Sequence, residues 1–182
     1  MENQLSPSFY IFLKNNIVSD IENDHYGSVL STIDWEQEAQ RCISSLVNFF
    51  KNVNLSWLKE NGIDEIGVID ICWNEYGSNI EVDFMPDNNF ETAFDDGCII
   101  NDSAIDNDTF FKKYFDTDGE NSWEIMGNDY LLIITIFEYI IIDIIDVVVN
   151  EKAFKSLPKK SPYHIAFAGS HDEERIKIYT GI

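Results

Sequence analysis

Between Tyr130 and Val149 the chain places fourteen Leu, Ile, Val and Phe residues, its most hydrophobic stretch and one long enough to span a bilayer. On an insertion scale these residues gain roughly 6 kcal/mol, while Glu138, Asp143 and Asp146 cost about 2.5 to 3.5 kcal/mol each. Burial inside a protein therefore wins over insertion. Thr135, Glu138, Tyr139, Asp143, Asp146 and Asn150 recur every three or four residues, marking one wet stripe on an otherwise buried helix. A strand would need even spacing. The pattern predicts a long central helix over residues 129–156, ended before Pro158. Its many Ile and Val residues lower intrinsic helicity, so tertiary packing must stabilise it.

The partners for that helix are also legible. Phe9, Phe12, Leu13 and Ile17 suggest a first helix within residues 7–19. A second, over 35–53, has a capping box at Asp34 and Gln37 and an apolar stripe of Trp35, Ala39, Cys42, Leu46, Phe49, Phe50 and Val53. A short turn of helix over 56–61 is stopped by Gly62. Residues 65–73 and 79–85 flank a polar turn and read as a hairpin, with Ile80, Val82 and Phe84 on the core face and Glu81 and Asp83 facing water. Residues 86–108 read as a long loop with a short strand at 98–100, and 109–115 as a helical turn capped by Asp108. A second hairpin, 163–168 with 173–180, turns Ile176 and Ile178 inward and Arg175 and Lys177 outward, where the cations discourage edge-to-edge aggregation. The expected fold is a single α+β domain over residues 1–182, with an antiparallel sheet built from hairpins, two N-terminal helices and one long buried helix packed on the sheet.

Charge then limits function. The chain holds 33 acids against 12 Lys and Arg, a net charge of −21, which excludes a generic binder of nucleic acid or anionic lipid. With 45% hydrophobic and 14% aromatic residues it is unlike a disordered acidic tail. The charge is unevenly spread: residues 1–59 carry −3, residues 60–151 carry −21 and residues 152–182 carry +3. No Lys or Arg occurs from Glu60 to Phe111, against 14 acids. Such a run repels itself, and it reads either as a solubilising face or as a docking surface for a basic partner. The candidate partner-binding residues are Asp70, Glu75, Glu81, Asp83, Asp87, Glu91, Asp95, Asp96, Asp102, Asp106 and Asp108. Aromatic residues interleaved with them would be mostly core, with one or two exposed as anchors.

Catalytic chemistry finds no foothold in the motifs. Asp116 to Glu120 departs from a calcium loop in the place of its glycine and the missing final Glu, and reads as a surface turn. His164 and His171 with Asp172, Glu173 and Glu174 lack a recognised ligand spacing. GxSxG, P-loop, GxGxxG and HExxH patterns do not occur. Cys42, Cys72 and Cys98 are widely spaced and read as reduced core thiols. The opening MENQLSPSFY lacks the form of a secretory signal, so a cytoplasmic location is expected. The expectation is a non-enzymatic protein with no cofactor and no metal.

A small, strongly acidic α+β domain with an asymmetric acid patch and no catalytic motif resembles the immunity proteins of bacterial contact-dependent inhibition and polymorphic toxin systems. Trp123, the long apolar helix, Phe154-Lys155-Ser156-Leu157-Pro158 and the strand ending near His171-Asp172-Glu173-Glu174 also resemble a family of bacterial domains found near such toxins. That resemblance covers about residues 123–180 and transfers no functional residue. It implies a role: binding and blocking one cognate toxin domain, often a basic nuclease. The alternative is a DNA mimic, whose carboxylates imitate a phosphate row and inhibit a DNA-binding protein.

Overall fold

The computed structural model describes residues 4–73, 79–94, 99–168 and 174–182. Five strands form one mixed sheet in the order β3-β2-β1-β4-β5, with β1 Ile66–Trp73, β2 Asn79–Met85, β3 Ile99–Asp106, β4 Lys159–Ala168 and β5 Ile176–Gly181. The two expected hairpins are present: β1 pairs antiparallel with β2, and β4 with β5. They join through a parallel pairing of β1 with β4, so the sheet is α+β but not wholly antiparallel. A parallel pair cannot be closed by a tight turn and needs a long crossover; here the helices between β3 and β4 provide it.

Eight α-helices occur among the described residues: α1 Pro7–Phe12, α2 Asp24–Leu30, α3 Trp35–Asn52, α4 Leu55–Glu60, α5 Asp108–Phe115, α6 Gly119–Met126, α7 Asn128–Asn150 and α8 Lys152–Lys155. The N-terminal part therefore holds more than the two expected helices. Ser6 caps α1 with Pro7 in the first turn, and the helix continues as a π-helical segment, Leu13–Val18, that keeps Leu13 and Ile17 buried. Asp34 caps α3 by accepting from Gln37 N at 3.1 Å, as the capping box requires. Gly62, at φ 86°, follows α4 in a left-handed conformation that a side chain would strain. The central helix expected over 129–156 stops at Asn150: Glu151 is extended and separates α7 from α8.

Helices α3 and α7 cover one face of the sheet. Ile69, Ile71, Trp73, Ile80, Val82, Phe84, Ile105, Ile165 and Phe167 from the strands join Leu46 and Phe50 of α3 and Ile133, Phe137, Ile140, Ile144 and Val148 of α7 in one buried cluster. The Trp73 and Phe137 rings meet edge to face at 5.7 Å. No helix among the described residues is long and apolar enough to cross a membrane.

Acids also lock the helices together. Both Asp129 carboxylate oxygens accept backbone N–H bonds, from Glu22 at 2.7 Å and Asn23 at 3.0 Å. Asp143 accepts from Ser6 N at 2.8 Å, so this member of the predicted wet stripe is a tertiary tie. Buried Glu38 on α3 pairs with Arg41 at 2.7 Å and accepts from Tyr114 Oη at 3.0 Å.

Candidate functional site

The second face of the sheet holds the middle-segment acids, and registry explains how. Alternation along β1 and β2 sends Ile69, Ile71, Val82 and Phe84 to the helices, and Asp70, Cys72, Glu81 and Asp83 to the other side. Asp70 pairs with Asp83 on β2 and with Ala166 on β4, and Ala166 in turn pairs with Lys177 on β5. One row across the sheet therefore reads acid, acid, alanine, lysine. The small Ala166 leaves room for a long side chain from beside β5, and Arg175 takes it, with Nε 3.2 Å from Asp70 Oδ2.

This face is not open to water as alternation alone predicts. Asp70 is 0% and Asp83 1% exposed, which corrects the expectation that Asp83 faces solvent; Glu81 is half-buried. Two coverings are visible. Residues 86–94 fold back so that Phe90, Ala93 and Phe94 pack with Val68, Met85 and Ala166 in a second apolar cluster. The C-terminal strand adds cations over those rings: Arg175 lies 5.2 Å from the Phe94 centroid and Lys177 4.8 Å from that of Phe90. Arg175 and Lys177 thus serve this face as counter-charge and cover. Ile178 packs against the main core as expected, whereas Ile176, at the start of β5, is exposed.

The other candidate residues are scattered. Asp87 accepts from Asn89 N at 3.0 Å and Thr92 Oγ1 at 2.7 Å, an Asx-type turn that shapes the covering segment. Those bonds, Asn89 first, hold its carboxyl below the usual range. Glu91 and Asp106 are exposed and Asp108 is half-buried at the start of α5, 4.0 Å from Lys112. Asp108 does not cap that helix, because Asn107 occupies the N-cap position. Asp102 lies on β3 opposite Val82. Glu75, Asp95 and Asp96 lie outside the described residues, as do Cys98 and His171. The fold brings Asp70, Glu81 and Asp83 together and leaves the rest distributed around the β3 edge and the covering segment.

One carboxylate oxygen from each of Asp70 and Asp83 and the Cys72 Sγ lie within 4.8 Å of one another. As a donor set this is what the described residues offer nearest to a metal centre. Its chemistry is mixed: burial, then the charges of Asp70, Asp83 and Glu81, push the Cys72 thiol upward, which disfavours the thiolate in the absence of a bound cation. Arg175 already neutralises Asp70. His164, whose Nδ1 lies 2.9 Å from Thr180 Oγ1, is held below its ordinary pKa by burial and then by Lys177. Its ring meets that of Phe90 edge to face at 6.0 Å.

Sequence reasoning missed a separate groove of about 860 Å³, lined by α3, α4 and β3. Its aromatic wall includes Trp57, which is 38% exposed. Trp57 and Leu58 are adjacent on a six-residue helix with only Leu58 buried, a pattern too short for periodicity to reveal. Comparison with protein-family models, curated proteins and solved structures finds no match.

Proposed function

We propose that the protein is a non-enzymatic inhibitor of the immunity type, which binds a cognate toxin domain, a basic nuclease, through an acidic surface and blocks it. One observation carries this reading: the run from Glu60 to Phe111 contains no Lys or Arg against 14 acids. Burial of Asp70 and Asp83 removes two of those acids from any interface, yet Glu60, Asp64, Glu65, Glu91 and Asp106 remain exposed. Exposed carboxylates of one sign steer a basic partner and raise its association rate. The DNA-mimic alternative is weakened by the same burial, because a mimic needs its carboxylates in an accessible row.

The test is co-expression with the product of the adjacent upstream gene, followed by co-purification and a growth assay. Stoichiometric complex and restored growth support the inhibitor reading. A toxic upstream product that neither binds the chain nor is neutralised by it removes that reading.

A further inference from the structure

Resting on the inhibitor reading, we infer that the groove between α3, α4 and the edge strand β3 is the anchor pocket for an arginine side chain presented by a basic loop of the partner. The groove has the parts such a side chain needs. Phe49, Val53 and Trp57 give it an apolar and aromatic wall, Asn48 and Asn52 add amides, and Asp106 contributes a carboxylate. Phe49 is fixed from behind by the Phe84 and Phe50 rings, at centroid separations of 6.2 and 5.5 Å. Trp57 is positioned because Asn54 Oδ1 accepts from its backbone N–H at 3.1 Å. A guanidinium stacks on an indole face and pairs with a carboxylate in one geometry, which an ammonium does less well. Buried aromatic walls around an arginine are also where interface energy concentrates.

Charge selects this occupant. Asp106 is exposed, and among the described residues its Oδ1 accepts a local bond, from Asp108 N at 2.8 Å. The nearby Arg41 donates to the Asp106 backbone oxygen at 3.0 Å but pairs its own charge with Glu38. Lys51 and Lys59 stand exposed on α3 and α4 outside the groove lining. Strand geometry argues for a side-chain anchor over an added strand. β3 is the outermost strand, but its pairing with β2 shifts register twice, between Ile80 and Glu81 and between Val82 and Phe84. Bulges of this kind make an edge a poor template for a further strand.

The test titrates the isotope-labelled full chain with acetyl-Ser-Gly-Arg-Gly-Ser-amide and with its citrulline analogue, which keeps the shape and loses the charge. The expected result is perturbation of the Trp57 indole and the amides of residues 103–106, with the citrulline peptide at least about fivefold weaker. Asp106→Asn should abolish that preference, and Trp57→Ala should weaken arginine-peptide binding about tenfold. Trp123→Ala, at an exposed tryptophan on α6, should change nothing. Equal binding of the two peptides, shifts centred elsewhere, or preference retained in Asp106→Asn would overturn the proposal. The same variants are then assayed against the co-purified toxin domain. A toxin that binds wild type and both groove variants equally refutes the pocket and leaves the inhibitor reading intact. Selective peptide binding without any toxin complex refutes the inhibitor reading and leaves the pocket.

Discussion

Arg175 Nε stands 3.2 Å from Oδ2 of Asp70, joining residues 105 positions apart. The acid side chain is 0% and the arginine side chain 20% exposed. A carboxylate removed from water needs its charge compensated, and truncating the partner of such a pair costs more than the pair contributes. Arg175→Ala should therefore destabilise the protein by about 3 to 5 kcal/mol, read from urea unfolding as a lower midpoint at unchanged slope. A loss below about 1 kcal/mol, typical of exposed pairs, would show that the pair is solvated.

Glu81 and Asp83 sit two residues apart on the same side of β2 but in different surroundings, half-buried and buried respectively. Glu81→Lys should cost within about 1 kcal/mol, whereas Asp83→Lys should cost more than about 3 kcal/mol, since it forces a cation beneath the covering segment. Separate denaturation curves for the two variants check this. Similar midpoints would mean that the second face is open.

Gly67 lies where the backbone of the covering segment crosses β1: a Cβ there would overlap the Asp87 carbonyl and Asn88 nitrogen. Neither obstacle is a flexible side-chain end. Gly67→Ala should displace residues 86–94, costing about 2 to 3 kcal/mol and speeding amide hydrogen exchange at Ala93 and Phe94. Unchanged exchange would contradict the close approach.

Burial pushes the Cys42 thiol from 9.0 up to about 12. The folded state therefore keeps this proton while the unfolded chain releases it near pH 9, so stability is fully present below pH 9 and is lost as pH rises toward 12. Cys42 alone should contribute a fall of about 1.4 kcal/mol per pH unit across that window. Urea unfolding from pH 8 to 11 should show this slope flattened by that amount in Cys42→Ala, whatever the variant's absolute stability. An identical slope in both proteins would count against thiol burial.

Much of the helical layer and both hairpins can be read from the chain, because α3 and α7 are long enough for periodicity to speak and Asp34 caps α3 as its motif requires. Short elements are read unevenly: α4 and α5 are anticipated, whereas α2 and α6 are not, and only the start of β3 is, because Asn101, Asp102 and Ser103 are poor strand formers and the register shifts break the alternation. The candidate site was legible as a set of acids but not as a place. Alternation tells which residues share a face, and it cannot tell whether a distant segment covers that face. Phe90, Phe94, Arg175 and Lys177 supply the cover here, and nothing local to β2 announces them.

The pairing of β1 with β4 sets an order on how the molecule can assemble. While the polypeptide is still emerging from the ribosome, β1, β2 and β3 are near one another in sequence and can pair early, but the inner edge of β1 stays without its neighbour until residues 159–168 arrive. During that interval an apolar strand edge is open and α7 has only part of its sheet to rest on. Such non-local closure slows folding and exposes the nascent chain to association with other chains. Until its C-terminal hairpin is made, the sheet can hold no more than three of its five strands.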